Sequence, residues 1–172
     1  MHVVNTSRQV PPEARNAVIM GRKTWDSIPA KFRPLKSRLN IVISRSFPTP
    51  AHASADSEGD LVKAASLEQA LDYLKSKSGQ EVGKVFVIGG GQIYDAALKL
   101  SQTKRLLITR ILSDFECDTF FPLKVTEGEE CAPGWVVKSK ADLDAWVGED
   151  APAGIQEENQ TKYEFQMWER TE

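Results

Sequence analysis

Three short stretches of this 172-residue chain carry residue types that could hold phosphate, and each directly follows an apolar run. The first is Gly21-Arg22-Lys23-Thr24, after Asn16-Ala17-Val18-Ile19-Met20: a glycine turn, then two cations and a hydroxyl at a predicted helix start. Free N–H groups at a helix start, with positive side chains beside them, attract anions. The second is Ser44-Arg45-Ser46, after Leu39-Asn40-Ile41-Val42-Ile43. A guanidinium between two hydroxyls suits a phosphate monoester. The third is Gly89-Gly90-Gly91, after Lys84-Val85-Phe86-Val87-Ile88, running into Gln92-Ile93-Tyr94. Three consecutive glycines cost chain entropy and pack nothing, but they let a ligand come close to the backbone. The run is neither a P-loop nor the spaced GxGxxG fingerprint. Taken singly, each stretch also reads as an ordinary turn. Three of them at consecutive strand ends, two bearing cations, fit an extended, multiply phosphorylated cofactor such as NADPH.

The elements that must position these stretches are legible in the hydrophobic pattern. Continuous β-branched runs of this length suit strands buried on both faces, as in a parallel sheet. Helices are predicted from Arg22 to about Ile28, from Ser66 to Lys77 and from Gln92 to Leu100. Ser66 and Gln69 have capping-box spacing, and Leu67, Ala70, Leu71 and Leu74 form one helical face. Alternating strands and helices imply βαβ units, whose ligands bind beyond the carboxyl ends of the strands. Arg105–Ile111 reads as another buried strand. Trp135–Ser139 and Lys162–Trp168 read as strands pairing antiparallel, with Gly148 to Gln160 as a long surface loop and Pro48 to Asp60 as a second. The expected fold class is therefore α/β: a mixed sheet, parallel first and closed by an antiparallel C-terminal hairpin, flanked by helices in one domain over residues 1–172.

Composition narrows the function classes. With 41% apolar and 27% charged residues the chain is globular in type, and its formal charge of -2 argues against a nucleic-acid binder. Charge is unevenly spread: residues 1–50 hold nine Lys or Arg against Glu13 and Asp26, and the remainder is acidic. Such a block is either a solvated basic face or an anion site. Cys117 and Cys131 indicate neither a disulfide framework nor a metal site. No stretch approaches the ~18 apolar residues of a membrane span. A soluble, cytoplasmic monomer is expected, with mitochondrial and nuclear pools left open.

The motifs in combination resemble the dihydrofolate reductase family. Val18-Ile19-Met20-Gly21-Arg22-Lys23-Thr24-Trp25, Ser27-Ile28-Pro29 and Arg33-Pro34-Leu35-Lys36 to Arg38 carry the likeness. So do Val87-Ile88-Gly89-Gly90-Gly91-Gln92-Ile93-Tyr94, Thr109-Arg110-Ile111 and Asp118-Thr119-Phe120-Phe121-Pro122, in the family's order. It runs from about residue 16 to the end and looks most like fungal members. The resemblance implies NADPH-dependent reduction of 7,8-dihydrofolate to tetrahydrofolate, serving one-carbon metabolism, with antifolates as further ligands. By position, Gly21, Arg22, Lys23 and Thr24 would hold cofactor phosphates, and Ser44 and Arg45 its 2′-phosphate. Gly89, Gly90, Gly91, Gln92 and Ile93 would cradle the diphosphate. Ile28 and Leu35 would line the folate site, with Arg38 on the glutamate α-carboxylate. The Ile88 carbonyl and Tyr94 would lie beside pterin and nicotinamide, and Thr119 near the pterin's amino end.

The family normally begins with several dozen further residues, including a central strand and a helix bearing the acid that assists protonation at N5. No counterpart precedes Asn16; Glu13, after Pro11-Pro12, is not assigned that role, so the catalytic acid is unknown. The central strand is expected to be missing between Val85–Ile88 and Arg105–Ile111, with His2-Val3-Val4 too short to replace it. An N-terminally incomplete sequence accounts for this, and residues 1–172 alone are expected to aggregate and to lack activity. Two other readings stand beside the first: a riboflavin-pathway-type NADPH reductase, and a non-catalytic NADPH- or partner-binding remnant.

Overall fold

The computed structural model describes residues 14–47, 61–77, 82–125 and 132–171, with the backbone alone for 2–5 and 54–55. The parallel core forms where the apolar runs predicted it: β2 (Arg15–Gly21), β3 (Arg38–Ile43) and β6 (Val82–Val87) lie side by side, with β2 pairing parallel to both neighbours. Both faces are apolar. Ala17, Ile19, Leu39, Ile41 and Val87 face one way, under α2 (Leu67–Lys77) and α3 (Gly91–Leu98). Val18, Met20 and Val42 face the other, with Phe86 and Ile88 beside them. This strict alternation, with apolar residues in both phases, is why the runs are continuous instead of period two.

The sheet continues on the far side of β3 with β5 (Leu61–Ala64), parallel, and β4 (Ser54–Ala55), antiparallel. Neither was predicted; most of the proposed Pro48–Asp60 loop lies outside the described residues. On the other side, β7 (Arg105–Ile111) pairs antiparallel with the long β10 (Thr161–Arg170). Two short strands, β8 (Trp135–Val137) and β9 (Gln156–Glu158), lie antiparallel on β10. The C-terminal antiparallel unit is thus as expected, but the Gly148–Gln160 loop contains β9.

The position expected to be vacant is filled. β1 (His2–Asn5) lies between β6 and β7, giving the order β4-β5-β3-β2-β6-β1-β7-β10-β8. It runs antiparallel to both neighbours and spans only Val85–Val87 on one side and Arg105–Leu107 on the other. The short segment therefore does bridge the sheet, though not along the whole strand. That limit corrects the reading of Arg105–Ile111 as a buried strand. Leu106 is fully enclosed, whereas Thr109, Arg110 and Ile111, past the reach of β1, are exposed.

Helix starts follow local chemistry. Ser66 Oγ accepts the Gln69 N–H at 3.3 Å, while the Gln69 side chain reaches one residue further back than a capping box requires, to the Ala65 N–H. An unpredicted helix, α4 (Lys140–Val147), has the complete box: Ser139 Oγ accepts from the Asp142 N–H and Asp142 from the Ser139 N–H. It ends at Gly148, whose φ of 88° few other residues would adopt. Trp146 on α4 meets the edge of the Phe86 ring, with centroids 6.0 Å apart. Among the described residues, no helix is long and apolar enough to cross a membrane, and no cluster of side chains could hold a metal ion.

Candidate active site

The carboxyl ends of β2, β3 and β6 lie at one edge of the sheet, and the three motifs meet there. Backbone bonds tie the first to the third: the Gly21 N–H donates to the Gly89 carbonyl at 2.7 Å, and the Ile88 N–H to the Ile19 carbonyl at 2.9 Å. At Gly21 the approach is close enough that an added Cβ would have to displace its neighbour, whereas at Gly90 it would make ordinary van der Waals contact. A Cβ on Gly21 would stand 3.3 Å from Ile93 Cγ1, and one on Gly90 would stand 3.6 Å from Thr24 Oγ1. Gly21, Thr24, Gly90 and Ile93 thus form one cradle.

Helix α3 starts in that cradle. Its Gly90 cap makes no side-chain bond, and the Gly90 carbonyl takes the N–H groups of Ile93 and Tyr94. The N–H groups of Gly91 and Gln92, in the first turn, are the helix-terminal donors that bind anions. The second motif lies nearby through Arg22, whose Nη1 donates to Ser46 Oγ at 3.1 Å. Ser44 Oγ and Ser46 Oγ share a hydrogen bond of 2.8 Å, so the two hydroxyls and the Arg22 guanidinium cluster together, with Arg45 between the two serines in sequence. Asp26 lies 3.8 Å from Arg22 Nε. Part of the basic first third is therefore concentrated at this edge, and Arg45 and Lys23 are exposed beside it.

Next to the cradle lies the apolar face of Val18, Met20 and Val42. Trp25, Ile28, Leu35 and Ile88 pack on it, so three of the proposed substrate-contact residues come together. Arg33 stacks its guanidinium over Trp25 at 5.4 Å, steadying the loop between α1 (Arg22–Ser27) and β3. Arg38 occupies the opposite end of β3, on the same face as Val42, and is exposed with Nε bonded to the Lys36 carbonyl. Strand rise puts it roughly 16 Å from the carboxyl end of β3. A ligand reaching from the cradle to Arg38 must be long and must carry an anion at its far end.

Tyr94 and Thr119 are placed differently. Tyr94 leans on Gly89, where a Cβ would come within 3.1 Å of the ring, and it meets Phe121 edge-on at 5.4 Å. Thr119 bonds to Asp118, and its methyl faces Gly91, so it borders the glycine loop. Glu13 lies outside the described residues, as does Cys131; Cys117 is exposed. Three residues of the site were not singled out from sequence: Trp25, Phe121 and Asn40, the last a fully buried amide in β3. A lone polar residue inside an apolar run was the available signal for Asn40, because a buried amide must find partners.

A family model described as dihydrofolate reductase matches residues 13–170. The chain belongs to the dihydrofolate reductase family. It is 42% identical over 162 residues to the dihydrofolate reductase of Pneumocystis carinii, covering 92% of this chain and 75% of that one. To the Candida albicans dihydrofolate reductase it is 37% identical over 171 residues, covering 96% and 79%. The solved Schistosoma mansoni dihydrofolate reductase superposes with a TM-score of 0.67 at 34% identity, over 94% of this chain and 78% of that chain. The mixed sheet and its flanking helices are the dihydrofolate reductase fold.

Burial pushes the Tyr94 phenol up to about 12. Against the ordinary value of about 10, the folded state keeps a proton that the unfolded chain releases. Tyr94 thus contributes its full stabilisation below pH of about 10 and loses it as the pH rises towards 12. Ultraviolet titration of tyrosinate is expected to show one late step, absent in Tyr94→Phe. A late step that persists in the variant would contradict this assignment.

Proposed function

We propose that this protein reduces 7,8-dihydrofolate to 5,6,7,8-tetrahydrofolate with NADPH. The observation that carries the reading is one sheet edge where a glycine cradle and an arginine–serine cluster adjoin an apolar face ending at an exposed arginine. The cradle suits a dinucleotide, because α3 starts at Gly91 directly after Gly90, so no side chain stands at the helix N-terminus where a diphosphate would approach its N–H groups. Bound there, NADPH would supply the hydride for C6 of the pterin, with a proton required at N5 whose donor is unassigned among the described residues.

The chain's own residues bind and orient. N–H groups of Gly91 and Gln92 and the Thr24 hydroxyl hold the diphosphate, with Lys23 adding charge. Ser44, Arg45 and Ser46, braced by Arg22, hold the 2′-phosphate. Ile28 and Leu35 enclose the aromatic middle of the substrate, Arg38 pairs with its carboxylate, and the Ile88 carbonyl meets the pterin. Tyr94 keeps its proton throughout the neutral range and can donate a hydrogen bond between the two rings. Thr119, resting on Gly91, borders the same space from the β7 side.

The test is direct. A form of the protein carrying additional N-terminal sequence is expected to lose reduced-nicotinamide absorbance in step with tetrahydrofolate formed when given NADPH and dihydrofolate, with methotrexate stopping the reaction, whereas residues 1–172 alone are expected to be inactive. Reduction of a riboflavin-pathway pyrimidine in place of dihydrofolate would overturn the substrate assignment. NADPH binding without turnover by the extended form would overturn the catalytic one.

A further inference from the structure

We propose that Asn40 is a positioning residue for the substrate's anionic tail, acting through Leu35 and Arg38. Asn40 sits on β3 between Arg38 and Val42, on the substrate side, and is 0% exposed. A primary amide enclosed in an apolar sheet is unfavourable unless its polar atoms are paired. Here they are paired with one short loop. Oδ1 accepts the Leu35 N–H at 3.0 Å, and Nδ2 donates to the Leu35 carbonyl at 2.9 Å and to the Arg38 carbonyl at 3.0 Å.

One rigid side chain therefore fastens both backbone polar groups of Leu35 and one of Arg38. The loop needs this bracing, because it turns sharply at Ser37, whose φ is 59°. Arg38 is otherwise steadied from within the loop, by its bond to the Lys36 carbonyl. An aliphatic residue at position 40 would fill the sheet equally well. What the amide adds is a fixed relation between the apolar contact at Leu35 and the charge at Arg38. The inference rests on the substrate reading above and deepens it.

Asn40→Ala, Arg38→Ala and the double variant are to be compared for binding of methotrexate, of an antifolate lacking the glutamate, and of NADPH. With the charge-assisted contact held loosely, Asn40→Ala is expected to weaken methotrexate on the order of tenfold. The KM for dihydrofolate should rise in parallel while kcat and NADPH binding stay nearly unchanged, and the glutamate-free antifolate should lose much less. In the Arg38→Ala background the extra loss for methotrexate should disappear.

If Arg38→Ala does not separate the two antifolates, the substrate reading itself fails and takes the proposal with it. If it separates them but Asn40→Ala weakens both antifolates and NADPH alike, only the proposal is overturned. Where Asn40→Ala does not fold, amide exchange in the unaltered protein decides. The Leu35 amide is expected to be protected, and more so with methotrexate than with the glutamate-free ligand. Free exchange there, or indifference to the tail, overturns the proposal.

Discussion

Gly89→Ala is expected to destabilise the protein by about 2–6 kcal/mol and to remove cofactor binding. Two effects add. Gly89 has φ of 104°, a region in which an L side chain is strained, typically by about 1–3 kcal/mol. The new methyl would also lie 3.1–3.3 Å from Tyr94 Cε2, Cζ and the hydroxyl oxygen, and overpacking of this kind costs about 1–3 kcal/mol. The Tyr94 ring is braced by Phe121, so it cannot swing away freely. Function should suffer beyond stability, because the Gly89 carbonyl holds Gly21 at the other side of the cradle. Urea midpoints and NADPH titrations on Gly89→Ala, Tyr94→Ala and the double variant separate the terms. Tyr94→Ala should remove the ring's share of the penalty and leave the backbone share. Strict additivity would show that the ring is not what the methyl meets.

Arg45→Ala is expected to remove most of the preference for NADPH over NADH. The two cofactors differ only in the 2′-phosphate, and Ser44-Arg45-Ser46 is the group proposed to hold it. Losing a charge-assisted bond costs roughly 1.5–3 kcal/mol, which is about a ten- to hundredfold loss in NADPH affinity. NADH should bind the variant as it binds the unaltered protein. Arg22 and the paired serines remain, so a residual preference should survive and weaken as salt is raised. Equal weakening of both cofactors would move Arg45 out of the phosphate site.

Much of this arrangement was legible in the residues. The β-branched runs placed β2, β3, β6 and β7 to within a residue or two, since a strand buried on both faces leaves a continuous apolar trace. That the three stretches after β2, β3 and β6 would come together was legible because glycine runs and serine-flanked arginines are unusual just after such strands. Less visible were elements whose stability is borrowed from distant partners. The four residues of β5 form against β3 and β4, and nothing local distinguishes them from loop. Helix α4 announces itself only through Ser139, Asp142 and Gly148, and its one buried residue, Leu143, gives no apolar stripe. The burial of β7 was overestimated because exposure there depends on how far β1 reaches, which no feature of β7 encodes. Placement of Thr119 against Gly91 depends on the course of a loop of exposed residues, 112–120.

The reach of β1 also bears on cooperativity. The sheet is in effect two panels, β4-β5-β3-β2-β6 and β7-β10-β8, seamed along four residues. Every motif proposed to hold phosphate belongs to the first panel, while Thr119 and Phe121, which lie against Gly91 and Tyr94, follow β7 of the second. A ligand seated in the cradle would therefore act as a clasp across the seam. Binding energy would be transmitted into the coupling between panels, and the panels would part most readily when the clasp is released.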